Sequence, residues 1–107
     1  MTIERRHFDR ISRPFEGSWN GSSGATPCRI ADISLGGCFV QSLANPSPGE
    51  STTVTVTIGD HRLSFPGSVV YSEPGMGFAV RFKDVPEEEL AELGRLLTAL
   101  NEATPGA

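Results

Sequence analysis

The chain has 107 residues, enough for one domain with one modest core and too few for two. Hydrophobic residues at 37% and charged residues at 21% are ordinary for a soluble globular protein, while 12 glycines and 8 prolines point to many turns and a strand-rich fold. A net charge of -4 and a pI near 5.0 argue against a general binder of nucleic-acid polymers. No apolar run approaches the roughly twenty residues that span a bilayer, and no apolar h-region follows the amino-terminal charges, so a cytoplasmic protein without membrane insertion is expected.

Residues 1–13 match neither helical nor strand periodicity and read as an extended, flexible basic arm. Arg5, Arg6, Arg10 and Arg13 all fall within it, diluted only by Glu4 and Asp9. A solvated arm is the bland reading of such a charge run; the sharper one is a cluster reserved for a small anion. Arg6 and Arg10 are four apart, so both guanidinium groups could face one anionic ligand. Pro14 holds its predecessor extended, and a first short strand begins at Phe15. Asn20 to Gly24 is a flexible loop by composition.

Cys28 to Ile33 alternates, with Cys28, Ile30 and Asp32 expected on one face and Arg29, Ala31 and Ile33 on the other. Gly36-Gly37 turns the chain into a third strand, Cys38-Phe39-Val40, which the prolines at 46 and 48 stop. Thr53 to Ile58 is the cleanest strand, apolar at every second position, and Gly59-Asp60 is a hairpin signal. The return strand runs to Tyr71 with a bend or bulge expected near Pro66-Gly67. A turn at Glu73-Pro74-Gly75 leads to Gly77–Phe82, with Phe78, Val80 and Phe82 on the core side.

The period then changes. Asp84 and Glu87 suggest a capping box for a helix at about 85–101, and Leu90, Leu93, Leu97 and Leu100 form its apolar stripe. Residues 103–107 should fray. Six short strands and one amphipathic helix predict an all-β fold with one helix, a small antiparallel barrel or closed sheet that the helix covers. The boundaries expected are an arm at 1–13, the barrel with its helix at 14–102, and a tail at 103–107.

Chemistry concentrates at Asp32-Ile33-Ser34-Leu35-Gly36-Gly37. Two hydrogen-bonding side chains and bare backbone amides at a strand end can hold something polar, although Asp32 and Ser34 could equally cap the turn. Cys28 and Cys38 lie in apolar strands and read as reduced core thiols. With only His7 and His61 besides, no metal site is expected. Trp19 and Tyr71 could stack on a base, but a lone aromatic on a strand reads first as core or sheet surface. The spacing of Ser34, Asp60 and His61 does not support a triad.

Arg6-x-x-x-Arg10 followed by Asp32-x-Ser34-x-x-Gly37 resembles the two-part signature of the PilZ domain family, and the run from Gly67 through Phe82 into a helix resembles its second half. The resemblance implies a six-stranded antiparallel β-barrel with a carboxy-terminal α-helix packed on it, and a bacterial receptor for the second messenger cyclic di-GMP. It implies that Arg6 and Arg10 contact phosphates and guanines, with Arg5 extending the arm. Asp32 and Ser34 would hydrogen-bond a guanine, while Gly36 and Gly37 would let the backbone approach.

These residue types suit that ligand on chemical grounds. Guanidinium forks can pair with phosphate oxygens or with the O6 and N7 of guanine, and a carboxylate can accept from guanine N1 and N2. The expectation is therefore a non-enzymatic effector, with no cofactor beyond its ligand. Ordering of the arm would signal to a separate, unidentified protein in motility, biofilm, polysaccharide or virulence control. A monomer is expected, with the helix stripe leaving a dimer open. Two alternatives stand beside it: a PilZ-like adaptor that binds no nucleotide and acts by protein contact, and a phosphodiesterase, which the absence of a metal-ligand cluster disfavours.

Overall fold

Alternation of β-branched and aromatic side chains with polar ones produces six strands in one antiparallel sheet that closes on itself. The computed structural model describes residues 14–21 and 24–103. In chain order the elements are β1 (Phe15–Gly21), β2 (Gly24–Ala31), β3 (Gly37–Gln41), β4 (Ser51–Ile58), β5 (His61–Glu73), β6 (Gly77–Phe82) and α1 (Glu87–Ala103). The spatial order is β1-β2-β3-β6-β5-β4, with β4 pairing back onto β1 to complete the barrel. This is the expected barrel with its carboxy-terminal helix. Closure removes the unpaired strand edges that an open sheet would expose.

The inward positions form a single core. Ile30, Val40, Val54, Val56, Phe65 and Phe78 are fully buried in the barrel, and Leu93 and Leu97 of α1 join the same cluster. Trp19 meets Phe78 edge to face at 4.9 Å, and Phe65 stacks on Phe82 at 4.7 Å. Trp19 is thus packed against the core. Leu90 and Leu100 are only partly buried, so the stripe is sealed at its centre. Glu92 also ties α1 to the β4–β5 hairpin, 3.1 Å from His61, while holding Arg95 on its own helix. Exposed pairs of this kind contribute little, about 0–1 kcal/mol, so the helix is held mainly by its leucines.

Turn chemistry works as expected in two places. Gly59 has φ 62 ahead of Asp60, the pattern of a type II′ hairpin turn. Pro74 and Gly75 form a type II turn, Gly75 having φ 83 and the Met76 amide donating to the Glu73 carbonyl at 2.9 Å.

Four local expectations change. Asn20, Gly21 and Gly24 are ladder residues, not a flexible loop, since Asn20 pairs with Ala25 and Gly21 with Gly24. β2 accordingly starts at Gly24, four residues before Cys28; the first four residues are exposed and leave no hydrophobic alternation to read. β5 runs straight through Pro66-Gly67, because Pro66 pairs with Thr53 and its carbonyl accepts from Lys83 at 2.8 Å; the irregularity falls at Val70. The helix begins after Pro86, whose carbonyl accepts the Leu90 amide at 3.1 Å, so Asp84 with φ 55 lies outside it and forms no capping box. Glu87, Glu88 and Glu89 still oppose the positive end of the helix dipole.

Both cysteines are free thiols, Cys38 buried and Cys28 half-buried. Burial pushes Cys38 from about 9.0 up to about 12, with the neighbouring Cys28 adding to the shift. Burial alone raises Cys28 to about 11. Between pH 9 and these values the folded thiols keep protons that unfolded thiols release, so folding stability falls as pH rises through that window. Below it the thiols contribute no slope. Thermal denaturation of the parent and Cys38→Ala across this range checks the point: the variant should lose less melting temperature per pH step, and parallel curves would contradict it.

Candidate ligand cleft at the β2–β3 turn

Asp32 follows the end of β2 and has φ 50, a left-handed conformation that a short polar side chain tolerates better than most. This single residue resets the alternation. Ile30 and Ile33 are both fully buried although three apart, so the expected faces, with Ile33 opposite Ile30 and Asp32 beside it, do not hold. Asp32 itself is half-buried.

The turn is then closed by Ser34. Its amide donates to the Gly37 carbonyl at 2.9 Å; its hydroxyl accepts from the Gly36 amide at 3.3 Å and donates to the Gly37 carbonyl at 3.5 Å. The turn-capping role is therefore made, through hydroxyl bonds that are long. The Gly36 carbonyl accepts from the Phe82 amide at 2.9 Å, fastening the turn to the end of β6. Neither Gly36 nor Gly37 adopts a positive φ. Beyond the turn, Leu35 lies 3.8 Å from the place a side chain on Gly94 of α1 would occupy.

Asp32, Ser34, Gly36 and Gly37 line one open cleft of about 320 Å³. Phe39 and Ala79 line it from the β3–β6 pair, Arg81 sits across from Gly37, and Val70 and Tyr71 come from β5. No motif in the sequence marks Arg81 for the site, and Tyr71 reads there first as core or sheet surface. Arg81 carried one signal, its outward position between Val80 and Phe82, but its nearness to Gly37 follows only from the pairing of β3 with β6. A larger cleft of about 470 Å³ opens by Ser51, Thr53, Ser68 and Lys83; no aromatic lines it.

Arg5, Arg6 and Arg10 lie outside the described residues. The root of their segment is nonetheless placed. Phe15 pairs with Ile30 in an antiparallel ladder, so the chain enters the barrel two positions from Asp32. Arg10 is five residues before Phe15 and within about 17 Å of it at full extension. Among the described residues no group of three or more His, Cys, Asp or Glu could hold a metal ion, and no helix is long and apolar enough to cross a membrane.

The geometry defines a small closed β-barrel with a lateral cleft of mixed polar and apolar lining beside the root of a basic segment. The sequence profile of the PilZ domain matches residues 4–99, spanning both the arginines and the cleft, and the chain belongs to the PilZ domain family. That family comprises cyclic di-GMP receptors, binding and effector domains rather than enzymes, although some members bind no nucleotide. The fold is similar to the PilZ domain of CeSA from a cellulose-synthesizing bacterium, with 19% identity, a TM-score of 0.66, and coverage of 86% of this chain and 97% of that one. It is also similar to the Bacillus subtilis inhibitor of motility MotI (DgrA), at 15% identity and a TM-score of 0.73 over 95% of this chain. The match spans about half of MotI, 53% of its chain. No curated protein matches by sequence.

Proposed function

We propose that the protein is a cyclic di-GMP receptor whose arginine arm closes over a dinucleotide held at the β2–β3 turn, and that the closed form acts on a separate protein. One observation carries this reading: the β1–β2 register roots the arm beside Asp32, within reach of the cleft that Ser34, Gly36 and Gly37 share. At about 320 Å³ the cleft lies near the lower end of the roughly 300–1,000 Å³ common for small-ligand sites. A dinucleotide would project from it toward the arm. Arg6 and Arg10, with Arg5 beside them, supply the phosphate and guanine contacts in this reading, and Asp32 and Ser34 read the guanine edge. Ordering the arm costs conformational entropy, which the charge-assisted bonds offset.

The output is a changed surface. The fold shared with an inhibitor of motility and with a domain from a cellulose-synthesizing bacterium makes motility and polysaccharide production the first outputs to test. Calorimetric titration of the full chain with cyclic di-GMP, with GTP as control, is the direct experiment. Saturable heat with the dinucleotide alone supports the receptor reading and returns the stoichiometry. No heat and no thermal stabilisation would sink it in favour of an adaptor that works by protein contact.

A further inference from the structure

The larger cleft is built by the same alternation that buries the core. On β4, Thr52 and Val54 point inward and are buried, so Ser51 and Thr53 take the outer face. Ser51 pairs with Ser68 of β5, and Thr53 pairs with both Pro66 of β5 and Asn20 of β1. The Lys83 amide donates to the Pro66 carbonyl at 2.8 Å, which brings the chain leaving β6 onto the same row. The wall is fixed from within, because the Thr52 hydroxyl donates to the Asn20 carbonyl at 2.7 Å. Strands from three parts of the chain thus line one cavity of about 470 Å³, with Asp84 at its edge. It shares no lining residue with the cleft at the β2–β3 turn.

The polar groups of this cavity are unspent. Among the described residues, no hydrogen bond or ion pair occupies the hydroxyls of Ser51, Thr53 and Ser68 or the ammonium of Lys83. Hydroxyls donate and accept, an ammonium only donates, and a carboxylate only accepts. Such a set matches a ligand that carries several hydroxyls and one anionic group. A nucleobase is a poor match, since no aromatic side chain offers it a stacking face. The volume falls within the roughly 300–1,000 Å³ usual for small-ligand sites and exceeds what a lone inorganic anion would fill.

We infer that this cleft is a second binding site, independent of the turn, that takes a sugar bearing one anionic group. Lys83 holds the oxyanion, Asp84 accepts from ring hydroxyls, and Ser51, Thr53 and Ser68 bond whichever oxygens lie against the strands. The inference stands apart from the receptor reading, so either can fail alone.

Titration of the full chain, followed by its backbone amide resonances, tests it with glucose 6-phosphate, glucuronate, glucose and inorganic phosphate as probes. Glucose 6-phosphate or glucuronate should saturate with shifts at Thr53, Ser68 and Lys83 and none at Ser34 or Gly36, and the tighter of the two names the anionic group. Glucose and inorganic phosphate should each bind about tenfold or more weakly than that probe, because each lacks one half of the ligand. Lys83→Gln should weaken the charged sugar about tenfold and leave glucose unchanged, and Thr53→Val, which keeps the side-chain shape, should weaken it about threefold. The amide spectrum of each variant reports directly that the barrel is folded. No saturation by either charged sugar, or shifts confined to the β2–β3 turn, overturns the site. Inorganic phosphate binding as tightly as the charged sugar reduces it to an anion contact, and parent-like affinity in Lys83→Gln removes the charge recognition; either result overturns the inference while leaving cyclic di-GMP binding untouched.

Discussion

Asp32→Asn is expected to weaken cyclic di-GMP binding about 100-fold. Guanine presents N1–H and N2–H donors along one edge, and a carboxylate accepts from both; the asparagine amide would turn one acceptor into a donor facing a donor. Bidentate base contacts discriminate by about 1–3 kcal/mol, and hydrogen bonds to a charged group contribute about 1.5–3 kcal/mol. A loss near 2.7 kcal/mol is about 100-fold in affinity. The choice of asparagine matters because Asp32 has φ 50. Asparagine accepts left-handed backbone, whereas Asp32→Ala adds a strain of about 1 kcal/mol and would confound binding with folding. Arg10→Ala should match the loss of affinity. Calorimetry paired with thermal denaturation separates the cases, and parent-like affinity in Asp32→Asn would remove the carboxylate from the site.

The elements most legible in the sequence are those whose signal is local. Thr53 to Ile58 alternates strictly and becomes β4, and the two tight turns at Gly59-Asp60 and Pro74-Gly75 carry their own conformational demands. Trp19 and the leucine stripe of α1 likewise went where apolar side chains go. What stayed hidden depends on partners. The first half of β2 is exposed and is a strand only because β1 pairs with it. The bulge at Val70 exists only relative to β6, and Pro66, a plausible breaker by itself, is accommodated within the ladder.

The cleft divides the same way. Asp32, Ser34, Gly36 and Gly37 are contiguous enough to be seen together in the sequence, and they do line one cavity. Arg81 and Tyr71 belong to strands 40 or so residues further along, and only the barrel's strand order brings them across from the turn. The left-handed residue of this motif is not marked in the sequence, where two adjacent glycines are the usual places for a positive φ. The positive φ belongs to the aspartate, and the glycines serve a different physical need.

That need leads to a second large effect, in stability. Gly37→Ala is expected to cost about 2–3 kcal/mol with no ligand present, while Gly36→Ala should leave stability within about 0.5 kcal/mol of the parent. A side-chain carbon on Gly37 would be driven into the Val80 carbonyl, which is backbone and cannot step aside without opening the β3–β6 pairing. One on Gly36 would meet nothing within 4 Å. Against a total of about 5–15 kcal/mol for a small domain the first loss is substantial. Denaturant titration without nucleotide measures both. Affinity then assigns the roles: if the ligand lies against the backbone at the turn, Gly36→Ala weakens binding while the barrel stays intact, because its methyl group would stand in the cleft. Equal stability of the two variants would mean that the β3–β6 contact yields more easily than its geometry indicates, and Gly37 would lose its structural explanation.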